Sequence, residues 1–207
     1  MLRKCLALSS LLPFCLILAH AQSEVDVSFG LGTAQDKSNG QTIDPLGTGT
    51  LSSTGSINGL FMKIGADVMF KPSFGLGFET SFRPAQGDYA GLGYRPLFYD
   101  FNAVYKPPFK SKRFVPELQA GLGAVNVKFY ASQQSCNSLS GCSSSNTFLT
   151  SANHFQTHFG GGLRVYFTDH IFVRPEIDAH WVNNFSQFGN SWVPQYGVSV
   201  GYTLGER

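Results

Sequence analysis

Charge is what this chain has least of. Charged residues make up 14% of its 207 positions, against roughly 25% in an average soluble domain, so there is little polar material to clothe a water-exposed body. Neither sign dominates: 15 Lys and Arg stand against 13 Asp and Glu. That balance gives no basic excess for gripping a phosphate backbone, and nucleic acid is excluded as a partner. No apolar run reaches the roughly 20 residues that a spanning helix requires. Cysteine is scarce too, with four in all. What the chain has instead is 23 Gly, 19 Phe and 8 Tyr. That aromatic content excludes disorder and favours strands and turns over helices, in a length that suits one domain.

Residues 1–21 read as an export signal. Arg3 and Lys4 form a basic start, Leu6 to Ala19 an apolar stretch interrupted by Pro13, and Ala19-His20-Ala21 the small-x-small site that signal peptidase cuts. The folding unit is then 22–207, as a single domain. Cleavage takes two bases and no acid, which leaves 13 of each sign. It also takes Cys5 and Cys15; the latter follows Leu12-Pro13-Phe14, without the small residue that precedes a lipidated cysteine. Cys136 and Cys142 remain, inside a Ser/Asn/Gly-rich stretch from Ser132 to Asn146. In an oxidising compartment this pair is expected to staple the stretch as a disulfide. No metal is expected there, because the stretch offers neither His nor a further Cys towards the four ligands of a zinc site.

Alternation predicts eight strands. Val25, Val27, Phe29 and Leu31 oppose Asp26, Ser28 and Gly30, the period of two that defines a strand with unlike faces. Six further sets repeat it: Leu60 to Phe70, Phe74 to Phe82, Leu97 to Tyr105, Phe155 to Phe167, Ile171 to Trp181 and Trp192 to Leu204. In the fourth strand Phe98 and Val104 blur the contrast. The remaining strand, the fifth, begins with Leu118, Ala120, Leu122 and Ala124 as its apolar set and then changes phase to Val125, Val127 and Phe129, for which a bulge near Ala124 is the expectation. Links after the even strands are short and those after the odd strands long and polar. This asymmetry, with an even strand count, is that of an up-and-down barrel in a bacterial outer membrane.

Period two does not say which face meets water, so a soluble lipocalin-like barrel with an apolar interior stands as the alternative. Composition decides between them. The polar faces are mostly Gly, Ser, Gln and Asn, with a few charges of both signs, which suits a small lumen better than a solvated exterior. Lys63, Arg83, Arg164 and Arg174 are expected to pair there with Asp67, Glu79, Asp100, Glu117, Glu176 and Asp178, with His180 on the same face. Aromatics gather near strand ends, among them Phe70, Phe74, Tyr105, Phe167, Trp181, Trp192 and Tyr202, as interfacial girdles do.

Three stretches, Val115-Pro116-Glu117 to Gly121-Leu122-Gly123, Gly160-Gly161-Gly162-Leu163-Arg164 and Phe172-Val173-Arg174-Pro175-Glu176-Ile177-Asp178, complete a pattern that resembles the small outer-membrane β-barrels, the eight-stranded OmpA-type and OmpX-type proteins. The resemblance covers nearly all of 22–207. It implies an all-β, eight-stranded antiparallel transmembrane barrel in the bacterial outer membrane, embedded in its lipid and lipopolysaccharide. Unlike many members, which end on an aromatic, this chain ends Leu204-Gly205-Glu206-Arg207.

Catalytic patterns are few. His180-Trp181-Val182 is similar to the His-x-Ser stretch of lipid A deacylases, but Val182 stands where the nucleophile belongs and Ser186 lies in a loop. His154 and His158 share a strand face without an evident third ligand. Gly160 to Gly162 precede no Lys-Ser/Thr and sit in a strand, which excludes a phosphate loop. The expectation is therefore a monomeric protein without enzymatic activity, cofactor or metal. Extracellular binding is assigned to the loops 33–55 and 131–152. A narrow ion-conducting pore, a lipid A hydrolase and a soluble carrier are the alternatives.

Overall fold

The computed structural model describes residues 24–36, 41–44, 47–137, 141–185 and 188–205. The export signal expected over 1–21 lies outside them. Eight strands form the wall: β1 Glu24–Gln35, β2 Asn58–Lys71, β3 Phe74–Phe82, β4 Leu92–Tyr105, β5 Phe114–Asn137, β6 Gly141–Tyr166, β7 Ile171–Val182 and β8 Trp192–Leu204. Each runs antiparallel to its neighbours in sequence. β8 returns to β1, with Val25 opposite Leu204 and Ala34 opposite Gln195, so the sheet closes on itself as the alternation predicts.

The apolar set of every strand faces outward. Leu31, Ile64, Leu76, Phe101, Leu122, Ile177 and Val200 are all exposed. A continuous apolar exterior on a closed sheet is the surface that hydrocarbon covers, and every peptide group within it is paired along the wall. Trp181 lies opposite Trp192 at one end of the β7–β8 ladder, while Phe74 packs on Tyr105 at 4.8 Å at the other end of the wall. Short turns join the strands at that second end. In two of them a hydroxyl takes the backbone donors, Ser111 Oγ from Arg113 and Phe114, and Thr168 Oγ1 from His170 and Ile171.

The phase change in β5 has another cause than a bulge. β5 pairs with β4 without interruption from Leu118↔Tyr105 to Tyr130↔Gly93; the only irregularity falls in the β5–β6 ladder between Phe129 and Tyr130. Inward positions simply change from polar to apolar. Below this level Gln119 points in and Leu122 out; above it Val125 and Val127 are fully buried while Lys128 is exposed on the outside. The barrel leaves the membrane here and continues with the inside-out arrangement of a soluble barrel.

Two loop assignments also change. Within 131–152, residues 131–137 and 141–152 belong to β5 and β6 rather than to a loop: the β5–β6 ladder runs on past the rim to Cys136↔Cys142 and Asn137↔Gly141. In the 33–55 segment, Thr33 to Gln35 belong to β1, and Thr42–Ile43 pairs with Ser52–Ser53 in a short ribbon. A polar ribbon satisfies its backbone by pairing with itself, so Ser, Thr and Asn content is a poor marker of loop at a hairpin tip.

Leu122→Arg, near mid-strand and facing lipid, is expected to lower folding stability by about 2–4 kcal/mol in urea titrations of vesicle-inserted protein. Phe148→Arg, on the ribbon beyond the rim, changes it by less than about 0.5 kcal/mol.

Candidate functional site: a filled lumen and a projecting ribbon

Because side chains alternate, each strand sends every second residue inward, and in a barrel of about eight strands those residues just fill the interior. Here they form an ionic layer. Arg164 on β6 contacts Asp26 and Glu117 and lies 2.7 Å from Asp67 Oδ2. Arg174 on β7 reaches Glu176 at 2.6 Å, Glu117 at 2.7 Å and Glu79 at 3.1 Å. Lys63 on β2 sits among Asp178, Glu176 and Glu79 at 2.5, 2.8 and 2.9 Å. Glycines leave the room these long side chains need; at Gly162 a Cβ would fall 3.0 Å from Arg174 Cγ. The Phe172 ring underlies the Arg164 guanidinium at 4.6 Å, a further support for a buried cation.

Eight of the eleven residues expected in the lumen cluster, Lys63, Asp67, Glu79, Glu117, Arg164, Arg174, Glu176 and Asp178, thus belong to one network. Asp100 and His180 also point inward and are buried, but they lie towards the outer end, apart from the Lys and Arg side chains. Arg83 does not join. It follows the last residue of β3 at the outer mouth, where it donates to Tyr94 Oη at 3.3 Å and covers the Tyr94 ring. Three further members were not expected in this cluster from the sequence. Asp26 takes hydrogen bonds from Lys106 and Arg164, Lys106 also bonds Glu24 at 2.7 Å, and His158 contacts Asp178 at 3.2 Å. The signal for Lys106 was present, since it continues the inward series Asp100, Asn102, Val104 one step past the end of β4.

The structure places the residues of the catalytic readings as follows. His180 faces the lumen, away from membrane lipid, and Ser186 lies outside the described residues. His154 and His158 do not converge on a common ligand: His154 packs edge-on against Phe185 at 5.3 Å, while His158 is engaged by Asn102 and Asp178.

Outward of the ionic layer the lumen is sealed by apolar side chains. Phe61, Phe98, Val125, Val127 and Val193 from the wall meet Phe185 and Phe188 from the β7–β8 connection. Phe188 packs against Phe185, Tyr94 and Tyr89 at 4.9, 5.1 and 5.2 Å. Asp36, just past β1, is buried at this mouth. Burial pushes its carboxyl up to about 7, against the pull of the Asn190 backbone N–H. At the inner mouth a cavity of about 540 Å³ opens between Met69, Phe70, Lys106, Pro108, Phe109 and Tyr166.

Beyond the outer rim the β5–β6 ribbon stands alone. β4 leaves β5 at Tyr130 and β7 leaves β6 at Gln156, so the edges Ala131–Asn137 and Thr147–Asn153 have no ladder partner other than each other's strand among the described residues. No Asp, Glu, Lys or Arg occurs from Phe129 to Asn153. At the foot of the ribbon, Arg95 and Lys128 are direct cross-strand partners on the outer face, both exposed.

A family model described as the outer membrane protein beta-barrel domain matches residues 6–203. No curated protein sequence matches the chain. Among solved structures, similar folds include the outer membrane protein OprG of Pseudomonas aeruginosa, at 11% identity and a TM-score of 0.54 over 89% of this chain and 99% of that one. The N-terminal β-barrel domain of OprF from the same organism aligns at 13% identity and 0.52 over 89% and 98%. Ail, the attachment invasion locus protein of Yersinia pestis, solved with the heparin analogue sucrose octasulfate, aligns at 14% and 0.51 over 88% and 99%.

Two outcomes test the interior. Arg164→Ala takes one of two cations from each of three buried carboxylates, Asp26, Asp67 and Glu117, and is expected to cost about 3–5 kcal/mol in urea titrations of the folded barrel, whereas Arg83→Ala, at the mouth, costs less than about 1 kcal/mol. Asp36 holds its proton in the folded state up to about pH 7, while the unfolded chain releases it near pH 4. Its contribution to stability is therefore largest at low pH and falls as pH rises between those values. Asp36→Asn removes that fall, so the variant gains on the wild type at pH 8 and not at pH 4, as read by denaturation at the two values.

Proposed function

This chain belongs to the outer membrane protein beta-barrel domain family, and we propose that it uses the barrel as an anchor for a surface ribbon that binds other polypeptides, without enzymatic activity. It is a protein of the bacterial outer membrane, and the β5–β6 ribbon carries the reading. An exposed, uncharged strand edge lacking Pro presents a row of backbone donors and acceptors of the kind that pairs with an extended segment of another chain. Natural edges are usually blunted by Lys, Pro or a bulge; from Ala131 to Asn137 and from Thr147 to Asn153 neither Lys nor Pro occurs, and the ladder's one register shift, which skips Leu149, leaves the pairing beyond it regular. Main-chain pairing supplies affinity, and the alternate side chains supply selectivity.

Stability of the ribbon supports the same role. Cys136 lies directly opposite Cys142 near the tip, and cross-strand Cα separations of about 4.5–5.5 Å suit a disulfide. We assign these two residues as a staple that holds the ribbon extended. The lack of charge favours backbone pairing over an anionic sugar as the extracellular ligand.

The membrane partner is lipopolysaccharide. Arg95 and Lys128 face each other outside the wall, two like charges whose repulsion a phosphate between them relieves. A filled lumen, with ionic pairs in the middle and aromatic packing above, favours anchoring over ion conduction.

Deleting residues 131–152 and closing the ladder with a two-residue turn is expected to abolish binding of cells or vesicles to immobilised host or envelope proteins. The heat-dependent shift on SDS gels, which reports the folded barrel, should persist. Unchanged binding by the deleted form would sink the ribbon reading. In planar bilayers the wild-type protein should show no porin-like unit conductance. Arg95→Glu with Lys128→Glu should weaken retention of lipopolysaccharide through detergent purification without altering the fold.

A further inference from the structure

The charges sealed in the lumen do not balance. Seven carboxylates are buried there, Asp26, Asp67, Glu79, Asp100, Glu117, Glu176 and Asp178, against four side chains of fixed positive charge, Lys63, Lys106, Arg164 and Arg174. Hydrogen-bond directions add one more cation. Gln119 Nε2 donates to Glu117 Oε1 at 2.9 Å, so Gln119 Oε1 accepts from Asn102 Nδ2 at 3.3 Å. That orientation leaves Asn102 Oδ1 facing His158 Nδ1 at 2.9 Å, while His158 Nε2 faces Asp178 Oδ1 at 3.2 Å. Both neighbours only accept, so both ring nitrogens carry protons and His158 is positive. Two negative charges still lack a counterpart.

The deficit is local. Six of the seven carboxylates lie within 4.0 Å of a Lys or Arg nitrogen. Asp100 does not. Its Oδ1 accepts from Gln156 Nε2 at 2.5 Å, and its Oδ2 lies 3.7 Å from His180 Nδ1. Neither ring nitrogen of His180 has a hydrogen-bond partner, although the residue is only 1% exposed, and Gln156 Oε1 is likewise buried and unpartnered. The His158 ring stacks on His180 at 4.7 Å and 14°. Two stacked imidazolium ions would repel, which leaves His180 a neutral ring with a lone pair to give. Phe98 closes the outer side at 5.0 Å from the same ring.

We propose that Asp100 and His180 bind a divalent transition-metal ion, with Gln156 turning its Oε1 as a third ligand. An ion at the usual ligand distances of about 2.0–2.2 Å bridges the gap between the His180 nitrogen and the Asp100 oxygen with an angle of about 120°. One imidazole nitrogen with oxygen ligands selects Zn²⁺, Ni²⁺ or Cu²⁺ over Mg²⁺ or Ca²⁺, which take oxygen alone. A charge of two neutralises the lumen. The neighbouring trio Glu79, His158 and Asp178 also has its ligand atoms within 4.8 Å of one another, but Lys63 Nζ already supplies the cation there, at 2.9 Å from Glu79 and 2.5 Å from Asp178. Ionic and aromatic layers close the site on both sides, so the ion is captured as the barrel folds.

The test is refolding. Full-length mature protein is unfolded in urea with EDTA, freed of chelator, refolded into detergent with Zn²⁺ or Cu²⁺, and passed through gel filtration; the heat-dependent gel shift selects the folded form. Elemental analysis should find about one ion per wild-type chain, resistant to EDTA until the barrel is unfolded, and less than about a tenth of that in His180→Gln and in Asp100→Asn. Should both variants fail to fold, electron paramagnetic resonance of the copper form decides, with splitting from a single imidazole nitrogen expected. Wild-type protein that refolds without metal, metal retained in both variants, or a copper signal without nitrogen ligation overturns the proposal and leaves water to satisfy these groups.

Discussion

A peptide group inside hydrocarbon has no solvent to bond, and that constraint organises the rest of this molecule. It requires the sheet to close, which the β1–β8 pairing achieves over ten residue pairs from Val25↔Leu204 to Ala34↔Gln195. A closed barrel of eight strands has an interior about as wide as its own side chains. Whatever points inward must then fill that space, and a charge placed there needs a partner. Arg164 and Arg174, each shared among several carboxylates from different strands, follow from closure as directly as the lipid-facing leucines do. Buried pairs of this kind add little net stability compared with apolar filling, but losing one member is severe.

One wall meets two solvents. Towards the short turns the exterior is apolar and the interior polar. Past Ala124 the order inverts, with Val125 and Val127 inside and Lys128 outside. Trp181 and Trp192, side by side on the outer face near this level, mark where hydrocarbon gives way to water. The inverted part is a small soluble-type core, built from wall residues and closed by Phe185 and Phe188 of the last connection. It gives the outer mouth its own packing, and the ribbon grows from strands already held by that core.

The structure then divides by level. The interior is a filled lumen with, at Asp100 and His180, a polar pair apart from the Lys and Arg side chains. The exterior carries an uncharged ribbon with a basic pair, Arg95 and Lys128, at its foot. OprG, OprF and Ail share the fold at 11–14% identity. A common barrel with such divergent sequence is what one expects when closure constrains the wall and leaves the loops and lumen free to vary.

Alternation of period two is a local property, so the sequence by itself determined the eight strands and their two unlike faces, and its low charge content pointed to lipid on the apolar one; the long link it placed after the fifth strand is paired ribbon instead. It also marked most of the inward charges, because Lys63, Glu117 and Asp178 each fall on the polar face of an alternating strand. Which carboxylate meets which guanidinium is not local. Arg164 and Asp26 lie 138 residues apart in the chain and meet only through the stagger of strands around the barrel, so tertiary structure alone decided the pairings, the exclusion of Arg83 and the isolation of Asp100. The same holds for the change of phase at Ala124. In sequence it reads equally well as a bulge or as an unbroken strand crossing from oil to water, and only the register against β4 distinguishes them. The ribbon was hidden for a related reason: outside the membrane a strand needs no apolar face, and its pairing leaves no periodic mark in a run of Ser, Thr and Asn.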